Sequence, residues 1–208
     1  VVHAQGFLIY QKNGAAAQDG VGRSVASAGD VNGDAKGDFI IGAFKTAPRD
    51  LNGNGAGAAA VYSGADGALL YQKSGAVAGD WFGFSVAGAG DVNGDGKSDF
   101  IIGAHASDGG AGSAFVYSGA TGALLYDKHG VGGDLLGYSV ASAGDVNGDG
   151  RYDFIVGAPY ASPGGISFFN AGSVYVYSGA TGAVLYKKDG AAAGDLQGYS
   201  VGSVGDVN

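Results

Sequence analysis

The sequence predicts an all-β protein, a β-propeller of four-stranded antiparallel blades, and three observations lead there. One pattern recurs: Asp91-Val92-Asn93-Gly94-Asp95-Gly96-Lys97-Ser98-Asp99 runs straight into Phe100-Ile101-Ile102-Gly103-Ala104, with counterparts starting at Asp30 and Asp145 and an opening fragment at Asp206. Successive starts lie 61, 54 and 61 residues apart, a spacing that suits one small sheet per repeat. Composition disfavours helix, because 44 of 208 residues are Gly and all 19 acidic residues are Asp; Gly and Asp form turns and caps, whereas Glu would support helix. Finally, the apolar runs are short, rich in Val, Ile, Phe and Tyr, and bounded by Gly, Asn, Asp and Ser.

Taken in order, residues 1–18 form a partial blade whose strand, at 6–12, matches the fourth strand of later units. The first complete blade covers about 19–79, with strands at 22–26, 39–43, 58–62 and 68–71. The second, about 80–133, is the cleanest. Residues 82–87 are a first strand, 100–104 a second whose continuous apolar run implies burial on both faces, and 113–117 a third. A hairpin turn at 118–122 then leads to a fourth strand at 123–128. The third blade, about 134–194, repeats this with strands at 137–141, 154–158, 173–177 and 183–186, and residues 195–208 begin another blade with a first strand at 198–202. Three complete blades with a partial one at each end do not close a ring. The expectation is a piece of a longer propeller, or a chain that completes a ring or filament through copies of itself.

Each repeated loop offers oxygen ligands at positions 1, 3, 5 and 9 and a main-chain carbonyl at position 7, a set that can curl around one hard cation. The candidate ligands are Asp30, Asn32, Asp34, Lys36 and Asp38; Asp91, Asn93, Asp95, Lys97 and Asp99; and Asp145, Asn147, Asp149, Arg151 and Asp153. Lys36, Lys97 and Arg151 would serve through their carbonyls. The spacing matches the first nine positions of a helix-loop-helix calcium hand, but position 12 is apolar (Ile41, Ile102, Val156) and strands follow, so weak, structural Ca2+ binding at about three sites is expected. Ala35 stands where the other loops have Gly at position 6 and is expected to resist the bend. Residues 50–54 read as a turn, and Asp19, Asp80, Asp134 and Asp195 read as caps on the turn entering each blade.

With Phe82-Gly83 ahead of the loop and Gly103-Ala104-His105 behind it, and Leu136-Gly137 paired with Gly157-Ala158-Pro159, the units resemble FG-GAP repeats, the blades of the integrin alpha-subunit propeller. The resemblance implies a propeller, usually seven-bladed, with calcium between strands one and two and adhesion surfaces on the opposite face.

The remaining composition narrows the function. A formal charge of -8 without a Lys/Arg cluster excludes nucleic acid as a natural partner, and three divalent ions would offset most of it. No run approaches the roughly 20 apolar residues of a membrane span. Cysteine is absent. The missing initiator Met reads as a processed or excised segment, and weak calcium loops point to a secreted or cell-surface protein, expected to be bacterial. His3, His105 and His129 occupy unrelated repeat positions and no Glu exists for acid-base work, so an enzyme is not expected. The connections at 44–57, 105–112 and 159–172 vary in length on the face away from the calcium loops, where a protein or glycan ligand would bind. Residues 166–170, with two adjacent aromatics, are the foremost candidate contact. Alternatives are a self-assembling surface layer, ring or filament, a carbohydrate-binding module, or a non-catalytic part of a larger secreted enzyme.

Overall fold

The computed structural model describes residues 10–50 and 52–203. Its twelve described strands form three four-stranded antiparallel sheets, each a meander in chain order. The first blade holds β1 (Val21–Gly29), β2 (Asp38–Ala43), β3 (Ala58–Tyr62) and β4 (Leu69–Ser74). The second holds β5 (Ser85–Gly90), β6 (Asp99–Ala104), β7 (Ser113–Tyr117) and β8 (Leu124–His129). The third holds β9 (Ser139–Gly144), β10 (Asp153–Ala158), β11 (Ser173–Tyr177) and β12 (Val184–Asp189). The first strands β1, β5 and β9 lie side by side, so the sheets pack face to face as propeller blades do.

Register repeats from blade to blade. Val86 faces Ile102 and Phe100 faces Tyr117, as Val25 faces Ile41 and Phe39 faces Tyr62. Strand β6 is buried along its whole length because blades cover both its faces, as its continuous apolar run predicts. Two cores fill the blade boundaries: Ile40, Val61, Phe82, Phe100 and Ile102 between the first and second, and Ile101, Val116, Leu136, Phe154 and Val156 between the second and third. Each such side chain, once fully buried, stabilises the fold by about 1.5–3 kcal/mol.

Polar contacts lock the same boundaries. Tyr71 stacks on Phe100, which stacks on Tyr117, with centroids 5.9 and 5.5 Å apart, and Tyr126, Phe154 and Tyr177 repeat the trio. The Tyr71 hydroxyl donates to the Gly119 carbonyl at 2.8 Å and Lys73 Nζ to that of Gly122 at 2.7 Å, so the fourth strand of one blade grips the hairpin turn of the next. Tyr126 grips Gly179 at 2.7 Å. Tyr10 and Lys12 hold Gly64 and Gly67 in the first blade in the same manner, at 3.4 and 2.6 Å.

The structure departs from the sequence reading at element ends. Residues 82–84 form a turn, and β5 starts only at Ser85. The expected strand at 198–202 is not formed: among the described residues no second strand lies beside it to exchange ladder bonds. The expected strand at 6–12 lies largely outside the described residues, as does Asp206. Residues 105–112 contain a single turn, Ser107–Gly110, broken by positive φ at Asp108 and Gly109. Among the described residues no helix is long and apolar enough to cross a membrane.

Candidate metal centre

Each repeated loop joins the first strand of a blade to its second, and its shape is written by its own side chains. Asp91 Oδ1 accepts the amides of Gly94 and Asp95 at 2.6 and 3.0 Å, and Oδ2 accepts that of Gly96 at 2.8 Å. Asn93 Oδ1 accepts the Asp95 amide at 2.9 Å, and Asp95 Oδ1 accepts the Lys97 amide at 3.0 Å. The loops at Asp30 and Asp145 repeat these bonds at their corresponding positions. These nested turns draw successive amides inward, and the positive φ of Gly94 and Gly96, 75° and 85°, permits the bend.

Position 9 plays a different part in the same loop. Asp99 is fully buried; its Oδ2 accepts the amides of Val92 and Asn93 and its Oδ1 that of Gly119, at 2.9, 3.2 and 2.9 Å. Asp38 and Asp153 bolt their loops to Gly64 and Gly179 likewise. Burial pushes the Asp99 carboxyl up to about 6, against the lowering pull of its three amide donors.

Positions 1, 3 and 5 are thus brought together at the loop and position 9 is turned toward backbone amides. Among the described residues no three His, Asp, Glu or Cys side chains converge into a metal cluster. The donors are nonetheless all hard oxygens. A carboxylate has about four lone-pair sites, so the three amides on Asp91 leave capacity for a cation. That donor chemistry fits Ca2+ rather than a softer metal.

The opposite face carries residues that the sequence reading did not assemble. His105, at the end of the second strand, packs on Phe84, Tyr138 and Trp81 with ring centroids 4.0, 5.0 and 5.3 Å away, and Arg23 lies 4.1 Å over the Phe84 ring. Burial, with Arg23 nearby, holds the His105 imidazole down to about 4. The signal was available: Arg23, Phe84, Tyr138 and Tyr199 hold one repeat position, directly after Gly22, Gly83, Gly137 and Gly198. Of the foremost loop candidate, Phe169 is 64% exposed, while its carbonyl accepts the Gly194 amide at 3.1 Å. Asp50 caps a turn: the Asn52 and Asn54 amides both donate to its Oδ1 at 2.8 Å. Asp19, Asp80, Asp134 and Asp195 each accept the amide three residues upstream, as caps.

The fold and its repeated loop define a propeller segment, and similarity gives the blades a family. The FG-GAP repeat model matches residues 82–117 and 136–177, from the turn that opens each blade to the end of β7 and of β11, so the second and third blades are FG-GAP repeats. They resemble the blades of integrin alpha subunits. The chain is 34% identical to integrin alpha-V of Gallus gallus over 181 residues, covering 78% of this chain and 16% of that protein. It is 33% identical to integrin alpha-3 of Mus musculus over 132 residues, covering 59% and 12%. The chain therefore spans less than a fifth of the length of either relative. Among solved structures, a Bacillus licheniformis rhamnogalacturonan lyase superposes with a TM-score of 0.51 at 17% identity, over 81% of this chain and 34% of that one; this likeness concerns the fold alone. With relatives in animals and a fold neighbour in a bacterium, similarity does not support the expected bacterial source.

Proposed function

We propose that this chain is a calcium-stabilised, non-catalytic segment of an extracellular propeller, secreted or at the cell surface, that presents its loop face for adhesion or protein recognition. The observation that carries the reading is the loop itself: three copies pinned by the same amide bonds, two of them inside the segments that the FG-GAP repeat model matches. The ligands would be positions 1, 3 and 5 with the carbonyls of Lys36, Lys97 and Arg151, and Asp38, Asp99 and Asp153 from beneath; the ions would brace the inner hairpins. Few carboxylates per loop favour weak sites that fill at about millimolar calcium, an extracellular condition. Recognition would fall to the loops on the face that carries the buried His105 cluster, where Phe169 and Tyr199 are exposed.

A non-catalytic role is supported by the structural character of a triad-like grouping near those loops. Ser113 Oγ lies 3.0 Å from His129 Nδ1, which Asp108 also approaches at 3.3 Å, while Asp127 stands 3.7 Å from Nε2, beyond hydrogen-bond reach. Ser113 is fully buried, and in the third blade Ser173 and Asp189 make the corresponding cross-strand pair at 2.6 Å. The grouping reads as strand pairing.

The test is thermal unfolding with calcium at about 100 times its dissociation constant and again with chelator. Calcium should stabilise by about 2.7 kcal/mol per site, raising Tm by about 5–10 °C or more. Asp91→Ala with Asp145→Ala should remove most of the gain. An unchanged Tm and no binding heat in calorimetry would overturn the reading.

Self-assembly is a second reading, favoured by one observation. Tyr186, equivalent to Tyr71 and Tyr126, is 60% exposed on β12, so the outer strand of the third blade offers an ungripped edge of the same design.

A further inference from the structure

Successive calcium-type loops touch one another in a fixed way. The Ser98 amide, at position 8 of the second loop, donates to the Asp30 carbonyl, at position 1 of the first, at 2.9 Å; Tyr152 donates to the Asp91 carbonyl at 3.0 Å. This rung sets the preceding residue, at position 7, over its neighbour. A methyl group built on Gly33 would stand 3.0 Å from Lys97 Cε and 3.5 Å from its Nζ, and one built on Gly94 would collide with the Arg151 guanidinium. Both described boundaries between loops thus place a permanent cation from one blade against position 4 of the loop before it. The sequence reading used these residues only for their carbonyls. Their side chains are not needed for that role, and the structure aims them at the neighbouring acidic loop.

We propose that Arg151, held beside position 4 of the Asp91 loop, and Lys97, held beside that of the Asp30 loop, each weaken binding of the divalent ion in the loop they cover; among the described residues neither makes an ion pair with a carboxylate there. This rests on the calcium reading above. A fixed positive charge some angstroms from a divalent site raises the work of bringing the ion in and, where calcium is absent, offsets carboxylate repulsion. Affinity of one loop is thereby set by a side chain from the next blade, while that side chain's own loop receives only its carbonyl.

The experiment is a calcium chloride titration of the full chain followed by amide NMR. Gly33, Gly94 and Gly96, and Gly148 and Gly150 report the first, second and third loops separately. Arg151→Met should tighten the second loop about three- to tenfold at low salt, an effect that shrinks in high salt, and should change the second loop more than the third. Arg151→Lys should keep wild-type affinity, and Lys97→Met should tighten the first loop more than the second. A second loop that is unchanged or weaker in Arg151→Met, or all loops tightening together, would overturn the proposal while leaving the calcium reading intact. A wild-type protein with no calcium-dependent shift at any of these glycines would sink both.

Discussion

Ala35 adopts φ 63° at a loop position where Gly96 and Gly150 take 85° and 84°. A Cβ in the left-handed region costs about 1–2 kcal/mol, and the cost is met because the Ala35 amide donates to Asp30 Oδ2 at 2.8 Å. The sequence reading expected Ala35 to resist this bend; the carboxylate at position 1 enforces it. Ala35→Gly should therefore stabilise the protein by about 1 kcal/mol in urea unfolding, less the extra flexibility of Gly when unfolded, and a loss of stability would show the loop to be unstrained. His105 gives the pH counterpart. Its folded pKa, about 4, lies below the ordinary value of 6.5, so the unfolded chain binds more protons between those values and stability is lost as pH falls through the window. Asp99 acts oppositely: raised to about 6, it makes the fold bind more protons, and its contribution to stability fades as pH rises from about 4 to 6. The two effects partly cancel in the wild type. Replacing His105 by Phe keeps a ring in the cluster and removes one of them. The stability of His105→Phe relative to wild type should grow by about 3 kcal/mol from pH 6.5 to 4, measured by denaturant titration at each pH; a flat difference would mean that His105 titrates normally.

At the scale of elements, the Gly residues of the two motif halves explain each other across blades. A methyl group on Gly103, in β6, would strike the carbonyl of Gly137, in the turn opening the next blade, and Gly42 and Gly83 stand in the same relation one blade earlier. Backbone meets backbone there, which only a residue without a side chain allows. Gly103→Ala should cost about 1–3 kcal/mol through overpacking, whereas Gly132→Ala, where nothing lies within 4 Å, should stay within about 0.5 kcal/mol. Equal effects in thermal unfolding would remove the close-approach argument. The strands themselves were legible because apolar runs and turn residues alternate so regularly, and the loops because Asp, Asn and Gly recur at fixed offsets. Strand starts were less so: residues 82–84 have strand-forming side chains, yet the Phe84 amide bonds to the Trp81 carbonyl at 3.0 Å and makes a turn. The inward rotation of Asp99 was hidden too, since its partner Gly119 belongs to a hairpin turn 20 residues away.

Among the described residues the main contacts between blades join neighbours, β1 with β5 and β5 with β9, so stability approximates a sum of blade and boundary terms, as in other repeat proteins. The Tyr grip makes that additivity measurable. Tyr71 and Tyr186 occupy the same place on β4 and β12, but only Tyr71 has a turn to hold among the described residues, donating to Gly119 at 2.8 Å while Tyr186 stands exposed. Tyr71→Phe removes one hydroxyl from a filled boundary and should cost about 1 kcal/mol at any protein concentration, leaving the Gly119 carbonyl short of a donor. Tyr186→Phe should cost nothing in dilute solution. Where copies associate through this edge, the same substitution should instead lower Tm increasingly as concentration rises, because only the assembled state uses the hydroxyl. Unfolding both variants across a hundredfold concentration range, with mass measured alongside, separates a boundary within the chain from one made between chains. If Tyr71→Phe proved neutral throughout, the grip would be incidental to blade packing, and the apolar cores and aromatic stacks alone would have to hold the blades together.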